Sequence, residues 1–265
     1  MHSRRPVSVV SGLAFAFKDE EALVGQLQPD ANPWDEFIKW ARRFYEASDF
    51  EKWERDYKIV IGSNLIQARD ALFAGADEWV DLLDKAFGPP NNLTNWRFNQ
   101  PFKQWYRLDQ DQAGSALRVL WDTALSASDR IDGFVALLPS EAPRVPLAAV
   151  SFLHMAVDPC QYPIFRPMFI EKALSLTGFP RFQVSRRSDK GAVYERVLTF
   201  FDKVIEEAEV RGLHLRDRLD VQGIIWRIAT TKYSPPSDWP EADQRAFRAF
   251  RGDKETTDDR GLDPI

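Results

Sequence analysis

A chain of 265 residues, 44% hydrophobic and 28% charged, has the composition of an ordinary soluble globular protein and is long enough to bury a sizeable core. Its formal net charge of −5 argues against a protein that coats nucleic acid non-specifically, because such proteins are basic overall, although a local patch can still bind. The single cysteine, Cys160, excludes an internal disulfide framework and a cysteine zinc site, and as a small buried hydrophobe it fits a reducing cytoplasm.

The N-terminal residues 1–32 read as an arm. Met1-His2-Ser3-Arg4-Arg5 is basic, but 7–17 mixes Ser and Gly into its apolar residues and carries no clear cleavage site, so no signal peptide is expected. No apolar run reaches membrane-spanning length. From Pro33 the signal is helical almost throughout. Trp34, Phe37, Ile38, Ala41, Phe44 and Tyr45 recur at the spacing of one helix face, opened by Asn32-Pro33. A second helix places Trp53, Tyr57, Val60, Ile61, Ala68 and Leu72 inward, with Glu51, Lys52, Glu54, Arg55, Asp56 and Lys58 mixed around it, and Gly75 stops it. Asp77 caps a third, which ends at Gly88-Pro89-Pro90.

Next comes an Asn-rich loop, Asn91-Asn92-Leu93-Thr94-Asn95-Trp96-Arg97. Its Asn and Thr side chains favour turns and caps, while Trp96 and Arg97 offer a stacking surface and a planar cation. The bland alternative is that the polar residues close a turn and Trp96 fills a core crevice. Helices then restart at Asn99 with Pro101, run over 112–125, and begin again at a Ser128 cap. The Pro-bearing stretch from Pro139 to Pro146 is the place where two lobes would meet.

Leu147 to Val157 is apolar nearly all round, the pattern of a buried helix. The segment from Cys160 to Pro167 reads as an ordered loop held by Tyr162 and Phe165. Helices follow over 168–177, 191–211 and 220–231, and Arg181, Arg186, Arg187 and Lys190 form the clearest basic stretch between the first two. Beyond Ser234, residues 241–250 can form a short helix and 251–265 read as a charged linker. The reading is an all-α fold, a compact array of about nine or ten helices over 33–233.

Several chemistries can be set aside. His2, His154 and His214 are far apart, with no ligand-spaced partner; His154 reads as a satisfied core histidine and His214 as exposed. No phosphate-binding Gly-Lys-Ser/Thr loop and no nucleophile elbow occur, so neither a catalytic centre nor a cofactor is expected in these residues.

Arg55-Asp56-Tyr57-Lys58, the run from Asn91 to Arg97, Leu120-Trp121-Asp122, Ser151-Phe152-Leu153, Asp158-Pro159, Tyr162-Pro163, Arg166-Pro167, Leu176-Thr177-Gly178 and the run from Arg216 to Asp220 carry a resemblance. Over about Trp34 to Lys232 the chain resembles the N-terminal region of bacterial McrB-like AAA-type restriction NTPases. That resemblance implies a DNA-recognition module of an anti-phage restriction complex, with hydrolysis supplied by a downstream AAA-type motor and cutting by a partner nuclease. It implies further that the charged tail tethers the module to that motor. Asn92, Thr94, Asn95, Trp96 and Arg97 would then read or stack on a base, and Arg181, Arg186, Arg187 and Lys190 would contact phosphates. A second likeness, from Leu153-His154 to Arg166-Pro167, is to the helix, loop and helix of the DNA repair glycosylases, with no catalytic residue assigned. The competing expectation is a protein-binding adaptor, which the 13% aromatic content also suits.

Overall fold

The computed structural model describes residues 32–139, 145–182, 190–230 and 235–253, and of Trp96 the backbone only. Within them the protein is an all-α array of eleven α-helices with no strand. The helices are α1 (Pro33–Tyr45), α2 (Tyr57–Ala74), α3 (Trp79–Phe87), α4 (Trp96–Leu108), α5 (Gln110–Trp121) and α6 (Ala127–Ala136), then α7 (Leu147–His154), α8 (Pro167–Thr177), α9 (Lys190–Val210), α10 (Arg218–Ala229) and α11 (Glu241–Arg251). A π-helical turn, Glu51–Asp56, runs directly into α2. The helices on both sides of residues 139–146 belong to one compact unit, Pro33–Ile265.

Local chemistry sets the helix ends. Asp217 opens α10 by accepting from the backbone N–H groups of Leu219 (3.0 Å) and Asp220 (3.2 Å), two residues upstream of the expected start. Ser126, not Ser128, caps α6, accepting from Asp129 N at 3.0 Å. The Asn95 side chain accepts from Arg97 N at 2.9 Å and starts α4 before Asn99, so Trp96 and Arg97 lie in a first helical turn rather than in a loop. Pro101 is carried inside that helix. Gly75 and Gly178 end α2 and α8 in the left-handed conformation, which only glycine adopts without strain.

The apolar faces close on one continuous core. Its aromatic end is contributed by α1, α11 and the turn before α11, where Trp40 stacks on Trp239 with ring centroids 5.5 Å apart and Phe44 meets Phe247 at 5.3 Å. Arg43 lies over the Trp239 ring at 4.1 Å and pairs with Asp243 at 2.6 Å. Residues 239–251 are therefore packed into the helical array.

One close approach governs the rest. A Cβ on Gly223 of α10 would meet the Glu54 Cβ at 2.9 Å and the Phe50 ring at 3.0 Å, so the π-helical turn sits directly against the α10 backbone. Gly223→Ala should destabilise the protein by roughly 1–3 kcal/mol, although alanine is the better helix former, because overpacking outweighs propensity here. Urea unfolding followed by circular dichroism checks this, and an unchanged or raised midpoint would mean that the turn can back away.

Candidate functional site

The π-helical turn is fastened to the start of α10 by ion pairs, the Arg55 ones largely buried and Arg216–Glu51 exposed. Arg55 donates to Asp217 (2.6 and 2.8 Å) and to Asp220 (2.9 Å), and Arg216 pairs with Glu51 (2.7 Å) and Asp220 (2.8 Å). The carboxylate of Asp217 raises the Arg55 guanidinium above its ordinary pKa. One turn further along, Glu54 accepts from Arg227 Nε at 2.5 Å and from Lys58 Nζ at 3.3 Å, while Lys58 also donates to Gln222 Oε1 at 2.6 Å. Glu54 and Lys58, two of the charges mixed around the second helix in the sequence, are only 2% and 1% exposed. Burial pushes the Lys58 ammonium down to about 8, against the opposing pull of Glu54.

The second helix also differs from expectation in what part of its apolar face meets. Trp53 and Val60, expected inward, are 57% and 52% exposed. Trp53, Tyr57 and Val60 do share one face, as their spacing of four and three residues requires, but that face lines a cleft instead of the core.

The exposed side of this wall opens on a cleft of about 760 Å³. Lys52, Trp53, Asp56, Tyr57, Lys58 and Val60 form one side of it. Pro90, Asn92 and Leu93 form the rim, and Arg166, Phe169, Gln222, Trp226 and Thr230 complete the lining. Phe169 of α8 and Trp226 of α10 meet edge to face, with centroids 4.3 Å apart. Arg166, immediately before α8, lies 5.7 Å from the Trp226 ring centroid and donates to the Asn92 carbonyl at 3.4 Å. Burial lowers the Arg166 pKa from its ordinary value, yet a guanidinium remains charged at neutral pH.

The sequence-derived residues distribute unevenly around this cleft. Asn92 lines it. The Asn91 side chain donates to Thr94 Oγ1 (3.1 Å) and accepts from Leu93 N (2.8 Å), and Asn95 is occupied as a cap. Most of the polar groups in the Asn-rich loop thus hold the loop itself. Arg97 is exposed on α4. Arg181 is exposed and donates to Ser175 Oγ at 3.2 Å, and Lys190 begins α9 half-buried; neither lines the cleft. Arg186 and Arg187 lie outside the described residues.

The remaining candidates behave as follows. Cys160 is half-buried rather than core, receives Arg55 Nη2 at 3.5 Å, and has its thiol pushed up to about 11 by burial and then by Asp217, so it stays protonated. His214 is exposed beside Glu209 at 2.7 Å. His154 is fully buried, but neither ring nitrogen has a hydrogen-bond partner, so it is not the satisfied core histidine that the sequence led one to expect. Among the described residues no cluster of three or more His, Cys, Asp or Glu could hold a metal, and no helix is long and apolar enough to cross a membrane. The residues that sequence reasoning missed as a site are Trp53, Lys58, Arg166, Phe169 and Trp226. Trp53 within a run of charged residues was the signal available in the sequence. Comparison with family models, with curated proteins and with solved structures gives no match to this chain.

Proposed function

We propose that this chain is a nucleic-acid recognition module of the McrB-like kind that the sequence resemblance implies, and that the aromatic cleft receives an unstacked base. The observation that carries this reading is the cleft itself, with Trp53, Tyr57, Phe169 and Trp226 around a space that has cations on both sides and the Asn-rich loop at its rim. Every base has a π face, and stacking on aromatic side chains contributes about 1–3 kcal/mol per base. Tethering to a downstream motor and a partner nuclease in the cytoplasm would supply the avidity that an acidic module with a single cleft lacks. Duplex DNA presents no free face, so single-stranded or locally opened substrate should bind best.

The test is a tryptophan-fluorescence titration of single-stranded and duplex oligonucleotides at rising salt. Trp53→Ala should weaken single-strand binding by about 1–3 kcal/mol, with no loss of fold since the ring is exposed. Replacing Arg186 and Arg187 together with Ala should flatten the salt dependence if they contact phosphates. Absence of binding at low salt, or indifference to Trp53→Ala, would sink the reading. The second reading, a protein adaptor, is favoured by one observation: Trp53, Val60 and Met168, all on the elements that build the cleft, are 57%, 52% and 77% exposed. An apolar partner there would bind with little salt dependence.

A further inference from the structure

The charge around Arg166 differs from that around four other arginines of the fold. Arg55, Arg216, Arg218 and Arg227 each lie within ion-pair distance of a carboxylate, at 2.6, 2.7, 2.7 and 2.5 Å from Asp217, Glu51, Asp202 and Glu54. Among the described residues no carboxylate lies within 4.0 Å of Arg166. Its hydrogen bond within the protein is the 3.4 Å contact to the Asn92 carbonyl, which leaves most of the five-donor fork unspent. The guanidinium is also half-buried against an indole. Withdrawing a cation from water without a counter-charge is costly unless something else compensates it.

The surroundings specify the compensating group. Lys58 and Lys52 share the cleft with Arg166, whereas Asp56, exposed at the edge, is the lone carboxylate in the lining. Repulsion from Arg166 contributes to the lowered Lys58 pKa, which places both cations in one electropositive region. A planar fork with free parallel N–H groups matches a phosphate in bidentate fashion. A cleft of about 760 Å³ falls in the range typical of small-molecule sites and exceeds what an inorganic anion needs. The remaining lining is aromatic and suits a ring.

We propose that the cleft holds a whole nucleotide unit, with its base against the Trp53, Tyr57, Phe169 and Trp226 side chains and its phosphate on Arg166. This rests on the nucleic-acid reading above and adds the phosphate to it. The unit can be part of a strand or a free nucleoside monophosphate, and the experiment separates the two.

Isothermal titration of the full chain compares a nucleoside 5′-monophosphate, the parent nucleoside, inorganic phosphate and a single-stranded oligonucleotide. The monophosphate should bind at least about tenfold more tightly than the nucleoside, the effect expected of one charge-assisted hydrogen-bonded contact. Arg166→Gln should erase that difference and leave the nucleoside unaffected, and Arg166→Lys, which keeps the charge and is the safer variant for folding, should retain part of it. Monophosphate binding that depends on Arg166, without oligonucleotide binding, upholds the subsite, assigns it to free nucleotide and removes the nucleic-acid reading. Oligonucleotide binding that depends on Arg166, without monophosphate binding, upholds the subsite within a strand. Oligonucleotide binding indifferent to both Arg166 variants overturns the subsite and leaves the module reading standing. Equal affinity for nucleoside and monophosphate, or binding of neither monophosphate nor oligonucleotide, also overturns it.

Discussion

Glu54→Ala should cost about 3–5 kcal/mol of folding free energy, about a fifth or more of what holds a typical domain together. The carboxylate is 2% exposed and stands between two cations, Arg227 at 2.5 Å and Lys58 at 3.3 Å. Removing it leaves Lys58, 1% exposed, with only the neutral Gln222 oxygen, and brings two buried positive charges into mutual repulsion. Asp49, 3.3 Å from Arg227 and half-exposed, cannot replace the lost charge. Because the penalty arises from stranding the partners, the double variant Glu54→Leu with Lys58→Met should recover a large part of it, and the interaction term of that double-mutant cycle is the quantity to measure. Urea unfolding of the four proteins supplies it. Strict additivity of the two single changes would show that the groups are solvated and independent, and the wall of the cleft would then have no electrostatic fastening. A loss of cleft binding in parallel with stability is expected, since the same residues hold Trp53 and Tyr57 opposite Phe169 and Trp226.

That network also marks where the sequence stops being readable. Helix identity was legible because it is local. Periodic apolar faces, Gly75 and Gly178 as stops, and the Pro-rich breaks all act within a few residues, so the all-α class and most helices follow from them. Glu54 and Lys58 sit at i and i+4 in a run of charges, which is indistinguishable from a solvated helix face until their partners are known. Those partners, Arg227 and Gln222, are 173 and 164 positions away. The exposure of Trp53 was hidden for a different reason: an apolar helix face that lines a cleft carries the same spacing as one that packs on the core.

The cleft combines both limits. Asn92 was singled out from its composition, and the loop it occupies does form the rim. The loop's other polar groups are spent on turn and cap bonds, the fate that composition alone could not separate from ligand binding. Arg166 was visible in the sequence only as part of a Pro-rich segment, because the lack of a counter-charge is a property of what surrounds it. Trp226 falls within the helix expected over 220–231, but its half-buried edge facing a cleft depends on how α8 packs beside α10.

Acid should destabilise this protein well above the range in which carboxylates titrate, and His154 should be the cause. The imidazole is fully buried at the end of α7, between the rings of Tyr162 and Tyr194 at centroid distances of 4.6 and 5.6 Å. Both of its nitrogens lack a hydrogen-bond partner, as does Nη1 of Arg130, a 4%-exposed cation whose Nη2 donates to the Tyr162 hydroxyl at 3.1 Å. Burial, and then the charge of Arg130, hold the His154 pKa down at about 3, against 6.5 for an ordinary histidine. Below pH 6.5 the unfolded chain therefore takes up a proton that the folded chain refuses until about pH 3. The stability that depends on His154 is complete above 6.5 and falls as pH drops through that window, by about 1.4 kcal/mol per unit and about 2 kcal/mol by pH 5. Carboxylates with depressed pKa add their losses as pH falls through the ordinary carboxylate range, Asp84 and Asp217 below about pH 4 and Glu51 and Glu207 below about pH 4.5, so the change between pH 8 and pH 5 reads mainly the histidine. His154→Leu removes the proton site and the orphaned nitrogens together, and its stability should stay level from pH 8 to pH 5 relative to the parent protein. Urea unfolding at pH 8, 6 and 5 makes the comparison. If the two proteins lose stability in parallel, the imidazole takes up its proton in the folded state as readily as in the unfolded one, and the buried Arg130–His154 pair is solvated or bound by a group that accepts its charge.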